Sequence, residues 1–366
     1  MKTQLLSLAL MASLAACSGG NPFETEDDTT DNGGGVTDGE TVGDGEGTGI
    51  NRDGIPPGTQ GASPNASIFR SEARVDGDGV DSGNGFATGM TYNSADDTFT
   101  VDNIAFDGDR PYDRGTAVSS LSLKANGEGR FQVYEAPTVA IDPVNEERIN
   151  QLRYRAVYGV SQNSVTDSNG NTRPTTQFAI VRTGNYVDYG FGGFIYQRDT
   201  EVTLPDTLQA TFRGHSAGLR DNSQGGGLQY TTADVTVDID HDDFNDGQTI
   251  LGDGVKGEIT DRRVFNLDGV DITEQVANSL GEGVTEIPDV LFVIGPDVLD
   301  TNGEIVTEIQ SQIVNDEGEA SIYEEGTFYA IVSGEDPDEI VGVYVLESGD
   351  GFRDTSGFIV YRNDPE

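Results

Sequence analysis

The chain has 366 residues, 49 of them glycine and none tryptophan, with 64 Asp and Glu against 21 Lys and Arg, a formal charge of −43. That charge argues against nucleic acid, whose phosphates it repels rather than neutralises, and against an anionic lipid surface held by charge alone. The glycine content opposes long helices, since each interior glycine costs about 1 kcal/mol relative to alanine, and favours turn-rich β structure.

The first residues read as a targeting segment. Lys2 supplies a positive start, "LLSLALMASLAA" a short apolar run, and "LAAC" ends it. The run is too short to span a bilayer and is that of a signal peptide over residues 1–16. Ala15 and Ala16 before Cys17 resemble the lipobox of bacterial lipoproteins, in which the cysteine becomes the acylated N-terminus. Cys17 is the only cysteine, so no intramolecular disulfide forms. Ser18 after it resembles the context that sorts enteric lipoproteins to the outer membrane. Residues 17–63 hold few large apolar side chains and read as a disordered, acidic, glycine-rich tether, with a reach of roughly 35–40 Å.

Beyond the tether, short apolar runs alternate with Gly, Asp and Asn. "DTFTVDNIAFDG", "AVSSLSLK" and "RFQVYEAPTVAI" are strands of an N-terminal β unit over 64–150. "LRYRAVYGV", "TQFAIVRTG" and "YVDYGFGGFIYQRD" follow, with a hairpin turn at "DSNGNT". Then come "LQATFRGHSAG", "LQYTTADVTVDID", "VKGEITDR", "GTFYAIVSG", "EIVGVYVLES" and "SGFIVYR". Only "DITEQVANSLGEG" reads as a helix. Ile272, Val276 and Leu280 recur at four-residue spacing, with Asp271 and Glu274 as a capping pair and Gly281 as the stop. The fold class read from the residues is all-β with one inserted helix.

The stretch from Leu208 to the C-terminus resembles the barrel domain of transferrin-binding protein B and related surface lipoproteins. Phe212 and Gly214 fit its first strand motif; Val237, Asp238 and Ile239 with Val255, Gly257 and Ile259 fit a hairpin. Gly326, Phe328, Glu339 and Gly342 fit a second hairpin, with Ala330 in place of its second glycine, and Arg362 follows the last strand. Residues 264–320 stand as an insertion carrying the helix and "VLFVIGPDVLDTNGEIVTEIQSQ". The resemblance implies that an antiparallel eight-stranded barrel over 151–366 follows the N-terminal β unit, on an outer-membrane lipoprotein at the cell surface whose barrel binds an extracellular protein or iron-carrying ligand through loops. No contact residues carry over, because the loops do not match. A structural or adhesive envelope lipoprotein is the alternative, and a monomer is expected.

Three constellations compete with that reading. G-H-S-A-G at 214–218, with His241 downstream, has the chain order of a serine-hydrolase triad. An elbow, however, needs a helix after the serine, and "GLRDNSQGGGLQY" is not one, so Ser216 is not expected to be catalytic. Asp238, Asp240 and Asp242 form a weak calcium candidate, the only cofactor suggested; Asp243 and Thr249 occupy the Gly and Glu places of an EF-hand loop. The same period makes Asp238 and Asp240 the solvated side of a hairpin. In "YGFGGFIYQR", Tyr189, Phe191, Phe194 and Tyr196 are either barrel core or a surface platform for a ligand.

Overall fold

A computed structural model describes residues 54–75, 84–104, 110–137, 140–141, 148–149, 153–183, 192–205, 208–224, 226–240, 254–281, 284–293, 298–314 and 318–362. In chain order the first strands are β1 (Ile68–Ser71), β2 (Gly89–Asn93), β3 (Thr98–Asp102), β4 (Tyr112–Arg114), β5 (Ser120–Leu123), β6 (Gly129–Glu135), β7 (Ala140–Ile141), β8 (Arg148–Ile149), β9 (Arg155–Val160), β10 (Ser164–Thr166), β11 (Thr172–Pro174), β12 (Thr176–Arg182) and β13 (Gly192–Arg198). They are followed by β14 (Gln209–Asn222), β15 (Leu228–Asp240), β16 (Gly254–Phe265), the helix α1 (Thr273–Leu280), β17 (Val290–Phe292), β18 (Glu304–Val314), β19 (Ala320–Ser333), β20 (Glu339–Ser348) and β21 (Phe352–Tyr361).

The last eight strands close a barrel, each pairing with the next and β21 returning to β14. Closure removes every long sheet edge. A nine-stranded antiparallel half-barrel sheet, ordered β1-β13-β12-β9-β6-β4-β3-β2 with β5 beside β6, packs on the outside of the barrel. The "DSNGNT" turn is present between β10 and β11, where Asp167 accepts the amide protons of Asn169 and Asn171 at 2.8 and 2.9 Å.

Three assignments differ from the sequence reading. Strands β9, β12 and β13, placed in the barrel from 151 on, pair with β6 and β1 instead. Both faces of β12 and β13 are buried, one against the barrel and one inside the sheet's own curl. Their even hydrophobicity therefore does not say which sheet they join. The barrel takes two strands, β17 and β18, from the stretch read as an insertion. The inward row of β18 is Ile305, Thr307, Ile309 and Ser311, and the two hydroxyls mask its alternation. The stretch read as tether up to Ser63 is packed from Gly54 onward: Ala62 is buried, and Thr59 and Ser71 exchange backbone hydrogen bonds with Phe69 and Pro57 across a fold-back along β1. The helix forms where expected and rests Ala277, Val276 and Ile272 on Val264. Its first amide is capped by Asp271, which accepts from Thr273 N at 2.9 Å, while Gly281 ends it in an extended conformation.

The sheet–barrel junction is apolar at its centre and ionic at its margins. Phe131, Val157, Phe178, Ile180, Phe194 and Tyr196 of the sheet meet Ala217, Leu219, Val341, Val343 and Ile359 on the barrel's outer face. Burying each such side chain contributes about 1.5–3 kcal/mol. The backbone of β21 comes close enough that a Cβ on Gly357 would lie 2.1 Å from the Phe178 ring. Three barrel-facing rows of the sheet, on β1, β12 and β13, end in an arginine: Ile68 then Arg70, Phe178 and Ile180 then Arg182, Phe194 and Tyr196 then Arg198. All three arginines are 0–1 % exposed. Arg70 forms a fork with Glu304 of the barrel at 2.6 and 2.9 Å. Arg198 donates to the carbonyls of Asn302, Val332, Ser63 and Ala66. Glu72 joins Arg182 of the sheet, at 2.9 and 3.1 Å, to Arg353 of the barrel, at 2.5 Å.

Burial alone would raise the Glu72 carboxyl, but Arg182 and Arg353 overcome it and hold it below its ordinary 4.5. A carboxylate depressed in the folded state stabilises above its unfolded value, and that stabilisation is lost as pH falls through the folded value. The unfolding midpoint of the chain is expected to drop as pH falls from about 5 to about 3. Glu72→Gln should flatten that acid step and cost about 3 kcal/mol at pH 7, because two guanidinium groups lose their counter-charge in a buried site; an unchanged urea midpoint would contradict it. Gly357→Ala should destabilise by about 1–3 kcal/mol through displacement of the Phe178 ring, read in the same urea titration.

Candidate functional site

A ligand-holding barrel needs an empty lumen, and this one is filled. Inward rows from all eight strands form one apolar core, in which Phe292, Phe328 and Phe358 stack at centroid distances of 4.5 and 4.7 Å. Toward the end carrying the β14–β15, β16–β17, β18–β19 and β20–β21 connections, the inward rows turn polar. Arg262 forks onto Glu324 at 2.7 and 3.1 Å and donates to the Pro288 carbonyl at 2.9 Å. Ser311 donates to Glu324 at 2.8 Å, and Asp354 accepts from Thr231 at 3.1 Å and Ser356 at 2.6 Å.

A β-bulge aims Arg262 inward. Asp261 and Arg262 together face Ala233 alone, with Asp261 at φ 45°, so the alternation slips by one and Arg262 rather than Asp261 enters the lumen. Glu324 points inside in phase with Phe328, Ala330 and Val332, and a second bulge, with Tyr323 as the extra residue between the pairs Ser311–Glu324 and Gln312–Ile322, turns Ile322 outward. Burial would raise the Glu324 carboxyl, but Arg262 outweighs it and lowers it; burial wins at Asp354, whose carboxyl is raised despite Arg262 at 3.9 Å. The cluster is hydrogen-bonded and closed. It supports the end of the barrel and leaves no room for a ligand.

The pentapeptide G-H-S-A-G lies in the middle of a continuous strand, β14, and not at a strand-to-helix turn. Neighbouring residues of a strand point to opposite faces. Ser216 points into the barrel, fully buried, with its hydroxyl 3.0 Å from that of Tyr344. His215 points out and meets Asp234 at 2.7 Å. His241 lies outside the described residues. Among the described residues no base reaches Ser216, and a fully buried serine in mid-strand is not presented at a strand-to-helix elbow.

Asp238 and Asp240 stand side by side on the outer face of β15, accepting from the Thr211 hydroxyl and, at 3.2 Å, from the Gln209 amide. Asp242 and Cys17 lie outside the described residues. Among the described residues no three His, Cys, Asp or Glu side chains are grouped to hold a metal ion. Phe194 and Tyr196 are buried at the junction, 5.9 Å separating the rings of Phe194 and Tyr329; Tyr189 and Phe191 are outside the described residues. The surface carries open grooves instead. One of about 690 Å³ lies at the junction beside Glu72, Phe194, Tyr329 and Arg353. A second, of about 570 Å³, lies between β5 and the His215–Asp234 pair. Asp234, Glu258 and Glu308 are exposed on the outer face of the barrel, and charged groups there around an apolar interior are the reverse of a membrane-spanning barrel's arrangement.

No family model and no curated protein matches the chain. Twenty solved chains do. Two are mutants of transferrin-binding protein B from Haemophilus parasuis. A double mutant is 9 % identical, with TM-score 0.33, covering 75 % of this chain and 44 % of its own. A single mutant is 11 % identical, with TM-score 0.30, covering 81 % and 59 %. The chain thus spans about half the length of these structures.

The polar cluster tests the packing account. Arg262→Ala should cost about 3–5 kcal/mol by leaving Glu324 buried and unpaired, whereas Arg262→Met with Glu324→Leu should recover most of the loss. Equal urea midpoints for the single and double variants would contradict this.

Proposed function

We propose that the mature chain is a non-catalytic binding lipoprotein, anchored in the outer membrane through acylated Cys17 and displaying its folded body at the cell surface on the acidic tether. The observation that supports it most is the filled barrel. With the lumen occupied by core and a satisfied ion cluster, recognition falls to the outer surface and its loops. That arrangement suits a macromolecular partner, an extracellular protein with or without bound iron, better than a small molecule. Cys17, the sole cysteine, follows an apolar leader, and the stretch after it holds acidic clusters and glycine runs. Such a segment keeps a body well away from the membrane.

Protease treatment of intact cells expressing the full-length protein tests the reading. The expected outcome is cleavage in the tether and release of the folded body without lysis, and Cys17→Ala should move the protein out of the membrane fraction. A body that survives until the outer membrane is breached would place it in the periplasm and favour a structural envelope role.

A further inference from the structure

Eight large apolar side chains are exposed among the described residues, and four of them, Leu291, Val293, Val314 and Ile322, share one face. The other four, Val75, Tyr92, Leu123 and Val270, sit on separate elements. In β18 the odd residues Ile305, Thr307, Ile309 and Ser311 point into the barrel, so Glu308, Gln310, Gln312 and Val314 point out. Leu291 of β17 lies between Glu258 and Gln310, Ile322 of β19 opposite Gln312, and Ala320 opposite Val314. The Val293 amide bonds the Glu308 carbonyl at 2.8 Å, which brings Val293 alongside. From Glu308 to Val314 the strip runs about 20 Å. It lies on β17, β18 and the N-terminal end of β19, whereas the sheet contacts β20, β21, β14 and, through Tyr329 and Ile331, the opposite end of β19.

The backbone beside this strip is also open. Pairing of β17 with β18 ends at Ser311, and pairing of β19 with β20 begins at Glu324. Residues 312–314 and 320–322 therefore pair only with each other, and the hairpin has two short edges without a strand beside them among the described residues. Continuing the β16–β17 register, Asp289 falls opposite Thr260 and Pro288 opposite Asp261, and a proline cannot donate to a ladder. Among the charged side chains flanking the strip, Glu258, Glu308 and Glu325 are exposed carboxylates, while Lys256, half-buried, falls opposite Val293 on the same register.

We propose that the outer face of β17–β19 is the docking site for an extended segment of a cationic partner protein, whose apolar side chains alternate with Lys or Arg. The segment lies along the free edge at 312–314, setting apolar groups on Leu291, Val314 and Ile322 and cations on the flanking glutamates. This is strand addition with an apolar centre and a charged rim. A second copy of the chain is disfavoured as the occupant by its own charge of −43, which sets carboxylate against carboxylate. The assignment rests on the reading of the chain as a binding protein.

The test uses the mature chain carrying Cys17→Ser and a fluorescent synthetic dodecapeptide of alternating Lys and Val, followed by anisotropy. Val314→Ser with Ile322→Ser should weaken binding about tenfold. Glu308→Gln with Glu325→Gln should weaken it and lower its salt dependence, and Leu123→Ser on β5 should leave it unchanged. An alternating Glu and Val peptide should not bind. Binding that survives Val314→Ser with Ile322→Ser overturns the surface while leaving the binding-protein reading intact. A wild-type dimer in sedimentation that the same pair of substitutions dissolves gives the face to a second copy and also overturns the proposal. A periplasmic body in the protease assay undoes the underlying reading, whatever the peptide does.

Discussion

Three arginines without access to water hold the sheet against the barrel, and the rest of the architecture depends on that junction. Removing a guanidinium from water is costly unless its donors and its charge are matched. Arg70 finds Glu304, Arg182 finds Glu72 with Arg353 beyond it, and Arg198 finds four carbonyls, two from the N-terminal fold-back, one from the β17–β18 connection and one from the end of β19. Each match exists in one relative placement of sheet and barrel. Apolar contact between the two supplies attraction without direction, and the buried ions supply the register.

That junction explains features that look unrelated in the sequence. Residues 54–63 are low in large apolar groups, yet they pack because Arg198 and Arg70 bind their carbonyls. Gly357 has no side chain because Phe178 occupies the space a Cβ would take. Glu339, on the barrel, accepts hydroxyl hydrogen bonds from Ser161 and Thr175 beside the sheet strands; burial raises its carboxyl and outweighs the lowering by those bonds. Inside the barrel the same economy of matched ions recurs at Arg262 and Glu324, so the lumen is structural and the surface is left for recognition.

The strand content and the helix were legible because alternation and capping residues are local signals, whereas the closed barrel was legible only through the motif resemblance. Membership of sheets was not. β12 and β13 are buried on both faces and carry no alternation to say which neighbour they take, while β18 hides behind Thr307 and Ser311. The functional residues followed the same division. G-H-S-A-G was legible as a motif and equally legible as a strand, and the strand won because nothing after it could form a helix. The inward slip of Arg262 was invisible, since it depends on a bulge that no local pattern marks. The arginine closing each apolar row, as in "FAIVR" and "FIYQR", was visible as a pattern, but its meaning needed the partner surface.

The central claim is that sheet and barrel are one cooperative body with a solid core, which confines binding to the outside. Native-state hydrogen exchange on the mature chain carrying Cys17→Ser measures this directly. The account predicts that the amides of β9, β12 and β13 exchange through the same opening, with the same free energy, as those of β14, β20 and β21. Sheet amides opening more than about 2 kcal/mol more easily than the barrel's would contradict it and make the sheet a separately unfolding unit.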